Sequence, residues 1–394
     1  MIIGLRVSVK MRKRKLTKLE RIVKGISQIG KYAGFSAIVM SLGCIPQKRF
    51  SVSGDGRYLA IPIDQNLEIN LEKAERVLLY DIEKNIIVFS QENLGEAMWM
   101  NNNDHQIVFD QGNNGKKLVI LSKERRIELP ERGFADMSDD GRFLVYSQFQ
   151  YKPDSHEISE INLITRDLIT EDERRFELEG VFPVFSPDSN HLLFLEYKRM
   201  QNPDENYFDL SVMNLKTLKR RAIEKLSDAE ILFFNPPGWI NNQEFIFSRE
   251  PNIPGEDIEI MLGNINGNLE TITDNDINET DIIGDEYKRI FYNDSQGSHM
   301  IYNGKERTLG FFIFNSQIVN NTLFYVEMNE GSDDLFKTHL KSIPTNRVND
   351  PNMAVDLSKR IRYHLLKSEF ENNLEPNNPY FDYFNSLNKE MQEK

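Results

Sequence analysis

Histidine, cysteine and clustered carboxylates are the side chains that could do chemistry in this chain, and their spacing assigns them none. The six histidines (His105, His156, His191, His299, His339 and His364) lack the short intervals that bring two imidazoles onto one metal. His105 and His191 fall beside turns at strand edges, where a structural hydrogen bond is the simpler role. There is no Gly-x-Ser-x-Gly elbow to present an acyl nucleophile and no His-Glu-x-x-His. Neither a cysteine pair nor a phosphate-binding glycine loop occurs. One acidic loop alternates oxygen side chains through Asp274, Asp276, Asn278 and Asp281, as calcium loops do. It carries Glu279 where such loops need Gly and Asp285 where they use Glu, so it reads as a solvated loop. The acids Glu171, Asp172, Glu173, Glu177 and Glu179 read the same way rather than as a catalytic pair. No catalytic residue, cofactor or metal ligand is assigned.

The elements that would position any site are dictated by a repeat. Phe50-Ser-Val-Ser-Gly-Asp-Gly-Arg-Tyr-Leu-Ala-Ile-Pro62 recurs as Phe134-Ala-Asp-Met-Ser-Asp-Asp-Gly-Arg-Phe-Leu-Val-Tyr146 and as Phe182-Pro-Val-Phe-Ser-Pro-Asp-Ser-Asn-His-Leu-Leu-Phe194. Each copy is an apolar run, a Ser, an acidic turn and a second apolar run, hence strand, turn, strand. Asp55-Gly56 and Asp140-Gly141 suit tight turns because Gly accepts a positive φ without a Cβ clash. Downstream of Leu59, Leu144, Leu192 and Phe245 lies a second hairpin. Its turns are placed at Asp81, Asn162, Asn214 and Asn264, after 22, 18, 22 and 19 residues. Weaker units centre on Ile107, Ile290 and Leu323. The seven anchors are 48, 37, 48, 53, 45 and 33 residues apart. A unit of roughly 40–50 residues with four strands is one blade of a β-propeller. Seven blades fit the anchors best, and six or eight also fit the spacing. Trp99 and Trp239 precede their anchors at matching places, which predicts packing between blades.

The Phe-Ser-Pro-Asp turn, second strand and Asp/Asn turn resemble the WD40-like repeats of the TolB propeller and of prolyl-oligopeptidase-type propeller domains. The resemblance covers about residues 48–343 and departs from the pattern at Gly54, Asp139 and Ser189. It implies an all-β fold and leaves activity open, since such propellers bind proteins, cover peptidase sites or scaffold complexes.

Charge narrows the partners. Residues 1–50 hold 12 Lys/Arg against Glu20 alone, and residues 51–394 hold 36 against 60 acids. An acidic body excludes nucleic acid, whose phosphates need a basic face. It leaves a protein or peptide as the expected partner.

The basic N-terminus opens with Met11-Arg-Lys-Arg-Lys15 and continues into the uncharged Tyr32–Leu42 and then Gly43-Cys44. Basic, then apolar, then small residues is the layout of an export signal. Its Ser-Leu-Gly-Cys44 ending resembles a bacterial lipoprotein signal, which implies lipidation of Cys44 and a place in the cell envelope, on the periplasmic or cell-surface side. Leu16, Leu19, Ile22, Val23, Ile26 and Ile29 also share one helical face, so a basic surface helix is the alternative. The single cysteine excludes an intramolecular disulfide. Toward the other end, Leu357, Ile361 and Leu365 predict a helix, followed by an Asn-rich tail with Tyr380, Phe381, Tyr383 and Phe384.

The chain therefore divides into a signal or anchor (1–47), a propeller (48–343) and a C-terminal helix with tail (344–394). Its expected role is binding or scaffolding without catalysis. The alternatives are a lactonase- or lyase-like propeller with a metal in its channel, and a cytosolic scaffold.

Overall fold

The apolar runs become strands buried on both faces. Leu59, Ala60 and Ile61 in one strand, and Val77, Leu78, Leu79 and Tyr80 in the next, are all fully buried. Such runs read as continuous rather than alternating because each sheet is covered on both sides. The outermost strands differ, and Glu173-Arg174-Arg175 shows the solvated pattern of an edge.

The computed structural model describes residues 50–63, 76–92, 97–100, 107–110, 117–121, 126–130, 135–151, 158–201, 206–226, 237–249, 258–274, 279–294, 297–309, 313–328, 338–348, 350 and 353–370. They form seven four-stranded antiparallel sheets whose strands follow chain order. Sheets 1 to 7 span residues 51–92, 97–130, 135–176, 180–226, 238–271, 280–308 and 314–356. The first strand of each sheet touches the first strand of the next, and that of sheet 7 touches that of sheet 1. The first strands therefore form a closed inner wall. An α-helix, α1 (Leu357–Phe370), follows sheet 7. No helix among the described residues is long and apolar enough to cross a membrane.

The sequence anchors take equivalent places. Leu59, Ile107, Leu144, Leu192, Phe245, Ile290 and Leu323 lie opposite Val52, Met100, Met137, Phe185, Trp239, Gly284 and Ile318, at or next to the end of each first strand. Two expectations are corrected by this register. Asn162 is not a turn residue: it sits buried inside a strand opposite Gln148, and the turn acid is Asp167. The turn lies further along the chain because the second and third strands of this sheet run on to the Phe143–Asp167 pair. Trp99 and Trp239 are also not equivalent. Trp239 faces its anchor Phe245, whereas Trp99 faces Val108, the residue after its anchor.

The first hairpin turn of sheets 1, 3 and 4 is the same object three times. Gly56, Gly141 and Ser189 occupy its left-handed position, with φ of +73°, +69° and +56°. A side chain there brings Cβ close to the carbonyl, costing about 1–2 kcal/mol. Ser189→Gly should therefore stabilise the protein by about 1 kcal/mol, read as a rise in the denaturation midpoint at unchanged m-value. No gain would mean that sheet 4 has relaxed the strain elsewhere.

Candidate functional site

The polar residues that recur in the repeat converge on the turns at one end of the sheets. In sheet 1 the Ser53 hydroxyl donates to Asp55 at 2.5 Å and accepts the Tyr58 N–H at 2.8 Å, while Asp55 accepts the Arg57 N–H at 2.9 Å. Sheet 3 repeats this with Ser138, Asp140, Phe143 and Arg142 at 2.6, 2.8 and 3.0 Å. In sheet 4, Ser186, Asp188, His191 and Asn190 give 2.7, 2.9 and 3.1 Å. A serine fits because one hydroxyl can donate to the acid and accept from the backbone together.

The second hairpin is tied to the first. Arg57 donates to Asp81 at 2.9 and 3.1 Å, and Arg142 donates to Asp167 at 2.8 and 2.9 Å. Asp81 also accepts the Lys84 N–H, and Asp167 accepts those of Ile169 and Thr170. Burial pushes the Asp81 carboxyl up, but the Arg57 guanidinium and the Lys84 N–H outweigh it and hold it below the usual carboxylate range. For Asp167 the Arg142 hydrogen bond leads, and the shift is again downward. A depressed carboxylate contributes stability at neutral pH that is lost as pH falls through its folded-state value.

Each of these serines is fully buried or nearly so, and removing the hydroxyl strands a strand-initiating N–H. Ser53→Ala, Ser138→Ala and Ser186→Ala should each cost about 1–2 kcal/mol by equilibrium denaturation. Three null results would remove the turn locks from the account of stability.

Neighbouring sheets are stitched by side chains. Val52 N–H donates to Gln317 Oε1 at 3.0 Å across the seam of sheets 7 and 1, and Phe185 N–H donates to Asp136 Oδ2 at 2.8 Å. The Trp239 indole N–H donates to the Val184 carbonyl at 3.0 Å, and Lys288 pairs with Glu244 at 2.8 Å. Arg289 spans from Asp285 at 2.6 Å to Asn321 of sheet 7 at 2.8 Å.

A compact titratable group lies within sheet 6. His299 has Nε2 3.1 Å from Asp294 and Nδ1 2.9 Å from Glu306, and its ring stacks on Tyr292 at 5.1 Å. The Tyr292 hydroxyl donates to Glu306 at 2.8 Å. Burial, then Glu306, raises the Tyr292 phenol, which stays a neutral donor. Tyr292 belongs to the apolar cluster shared with Ile240, Ile246 and Ile260 of sheet 5. The group braces three strands, and spacing along the sequence could not reveal it because cross-strand pairing creates it.

No family model matches the chain, and neither does any curated protein. Solved structures do match. A puromycin-hydrolyzing peptidase of Mycobacterium tuberculosis is 12% identical with a TM-score of 0.53, over 80% of this chain and 54% of that one. Porphyromonas gingivalis dipeptidyl peptidase 4 is 12% identical with a TM-score of 0.51, over 80% and 53%. TolB from Acinetobacter baumannii is 15% identical with a TM-score of 0.40, over 69% and 74%. The ring of seven four-stranded sheets closed through their first strands decides the fold. The chain is a β-propeller. Its likeness to TolB and to peptidase structures is one of fold, and it spans about half the length of the two peptidase chains.

On this propeller the sequence candidates are dispersed. His191 lies 3.1 Å from Asn214 and near Trp239, and His339 lies 3.2 Å from Asp356. Glu171 and Glu173 pair with Arg166, and Glu179 pairs with Arg199. Asp281 accepts from Asn293 and Asp285 from Arg289, whereas Asp276 and Asn278 lie outside the described residues. Also outside them are His105, His156, Cys44 with the whole signal segment, and the tail aromatics Tyr380, Phe381, Tyr383 and Phe384. Among the described residues, no three of His, Cys, Asp and Glu are grouped to hold a metal ion. Sequence reasoning missed the Arg–Asp ties and the Gln317 and Asp136 stitches. The Arg–Asp ties had a signal, an Arg two residues after the turn acid and an Asp 24 or 25 residues further on.

Proposed function

We propose that this chain is a seven-bladed, non-catalytic propeller that binds or scaffolds a protein or peptide, exported and held at a membrane by a lipid on Cys44. The observation that carries the binding role is how the repeat uses its polar side chains. The recurring Ser, Asp and Arg residues lock turns and join hairpins, so the ring is a rigid mount rather than a reacting centre. Binding residues on such mounts belong to the connecting segments. The acidic body favours a partner with a basic face.

The membrane role rests on the N-terminal sequence. An acyl chain contributes about 0.8 kcal/mol per buried methylene, so more than one chain on Cys44 would hold the protein without a spanning helix. Cells labelled with a fatty-acid analogue should incorporate it into the full chain and lose it on Cys44→Ser. Equal labelling of the variant would end the lipid-anchor reading. Purified residues 47–394 should turn over no peptide, ester or lactone substrate. Lactone turnover abolished by a chelator would replace binding with metal-dependent catalysis.

A further inference from the structure

Helix α1 lies on the seam between sheets 7 and 1. Leu357 and Ile361 share one apolar cluster with Leu78 and Tyr80 of sheet 1 and with Phe324 and Leu340 of sheet 7. The start of the helix is tied to sheet 7. Asp356 accepts the Lys359 N–H at 3.1 Å, as an N-cap does, and its other oxygen lies 3.2 Å from His339 Nδ1. Leu340 N–H donates to the Ser358 hydroxyl at 2.6 Å.

Two turns further on, His364 lies against sheet 1. Its ring is 6.1 Å from fully buried Tyr80 and 5.1 Å from Tyr363. The charged groups facing it are unfavourable to an imidazolium. Its own helix supplies Arg360 and Lys367. Sheet 1 supplies Tyr80, whose phenol burial pushes up to about 12, with Asp81 beyond it engaged by Arg57. Sheet 7 supplies the His339–Asp356 pair, at the opposite end of the helix. No carboxylate lies within ion-pair distance of His364 among the described residues. Burial first, then Lys367 and Arg360, hold the imidazole below its usual value. A histidine shifted this way stabilises the fold fully above the ordinary histidine range. That contribution is lost as pH falls from there toward the folded-state value.

We propose that α1 is an acid-released clasp over the seam of the ring. Protonation of His364 lifts the C-terminal part of the helix from Tyr80, while Asp356 and His339 keep its first turn on sheet 7 as a hinge. The hinge end differs from the clasp end in geometry: His339 has the Asp356 carboxylate 3.2 Å away, whereas His364 lies among Arg360, Lys367 and Tyr80. Release uncovers the Leu78 and Tyr80 side of sheet 1.

Hydrogen exchange on the full chain, corrected for the intrinsic pH effect, tests this between about pH 7.5 and about pH 5.5. Segment 357–370 should lose protection severalfold on acidification, while the sheet 4 strands His191–Lys198 and Tyr207–Asn214 keep theirs. His364→Gln and His364→Leu should each abolish the pH response, so a misfolded variant of one kind leaves the other to read. His339→Gln should extend the acid-induced loss to the first turn. Unchanged protection of 357–370 in the original protein would overturn the clasp. So would a response that survives both His364 substitutions, or parallel loss in sheet 4, which marks global acid unfolding.

Discussion

Replacing Leu357 and Ile361 together with alanine should destabilise the protein by about 4 kcal/mol or more, because each buried large-to-small change costs about 2–5 kcal/mol. That is a large share of the roughly 5–15 kcal/mol that holds a typical domain together. Both side chains are 1% exposed, and both sit in the cluster that joins sheets 1 and 7. The site matters more than its area suggests. Among the described residues every strand of each sheet comes from one contiguous stretch, and none is shared between sheets 7 and 1 to fasten the ring. Contacts of the first strands, the Gln317–Val52 bonds and the helix do that instead. Thermal unfolding should accordingly begin at this seam, with early loss of the Val52 N–H protection. Ile169→Ala is the control: at 73% exposure it should change stability by no more than about 0.5 kcal/mol. If the double variant melts with the control, the helix is an ornament on a ring closed by other means.

The strands were legible because they obey a local rule. A blade's second and third strands are buried on both faces, so Leu59-Ala-Ile61 and Leu192–Leu195 are uninterrupted apolar runs that mark the unit wherever they recur. The helix was legible for the same reason, since Leu357 and Ile361 repeat at helical spacing and both turn inward. The turn of sheet 3 was misplaced because Asn162 and Asp167 are equally good turn formers by type. Only the pairing of Gln148 with Asn162 and of Phe143 with Asp167 decides between them. The ties between blades were hidden by distance. Gln317 and Val52 are 265 residues apart, and nothing in the sequence around either names the other. His299 has no ligand spacing in the sequence, yet cross-strand geometry surrounds it with Asp294, Glu306 and Tyr292. A candidate site built from cross-strand neighbours leaves no linear motif, whereas a fold built from repeated strands must.

Gly263→Val should destabilise the protein by about 3 kcal/mol, the upper part of the range for an overfilled core. Gly263 sits inside a strand directly opposite Phe245, and its φ is not in the left-handed region, so the demand for glycine is steric. A Cβ there would meet Phe245 Cε2 in hard overlap, Cζ at 2.7 Å and Leu269 Cδ2 at 3.2 Å. The ring covers the space that a side chain would take, and it cannot withdraw. Phe245 is fully buried, with Trp239 edge-on at 5.5 Å and Phe247 at 6.2 Å. Trp239 is itself held by its indole N–H on the Val184 carbonyl of the neighbouring blade. Pushing the ring aside thus strains two blades rather than one. The clash and the ring are one interaction, so their removal should not add. Gly263→Ala should cost about 1–3 kcal/mol, and Phe245→Leu should cost stability by leaving a cavity. The double variant should be more stable than the sum by about 0.5 kcal/mol or more, because the added methyl fills space that the lost ring vacates. Strict additivity in the urea-denaturation cycle would place the cost of the glycine substitution in the backbone and remove the ring from the explanation.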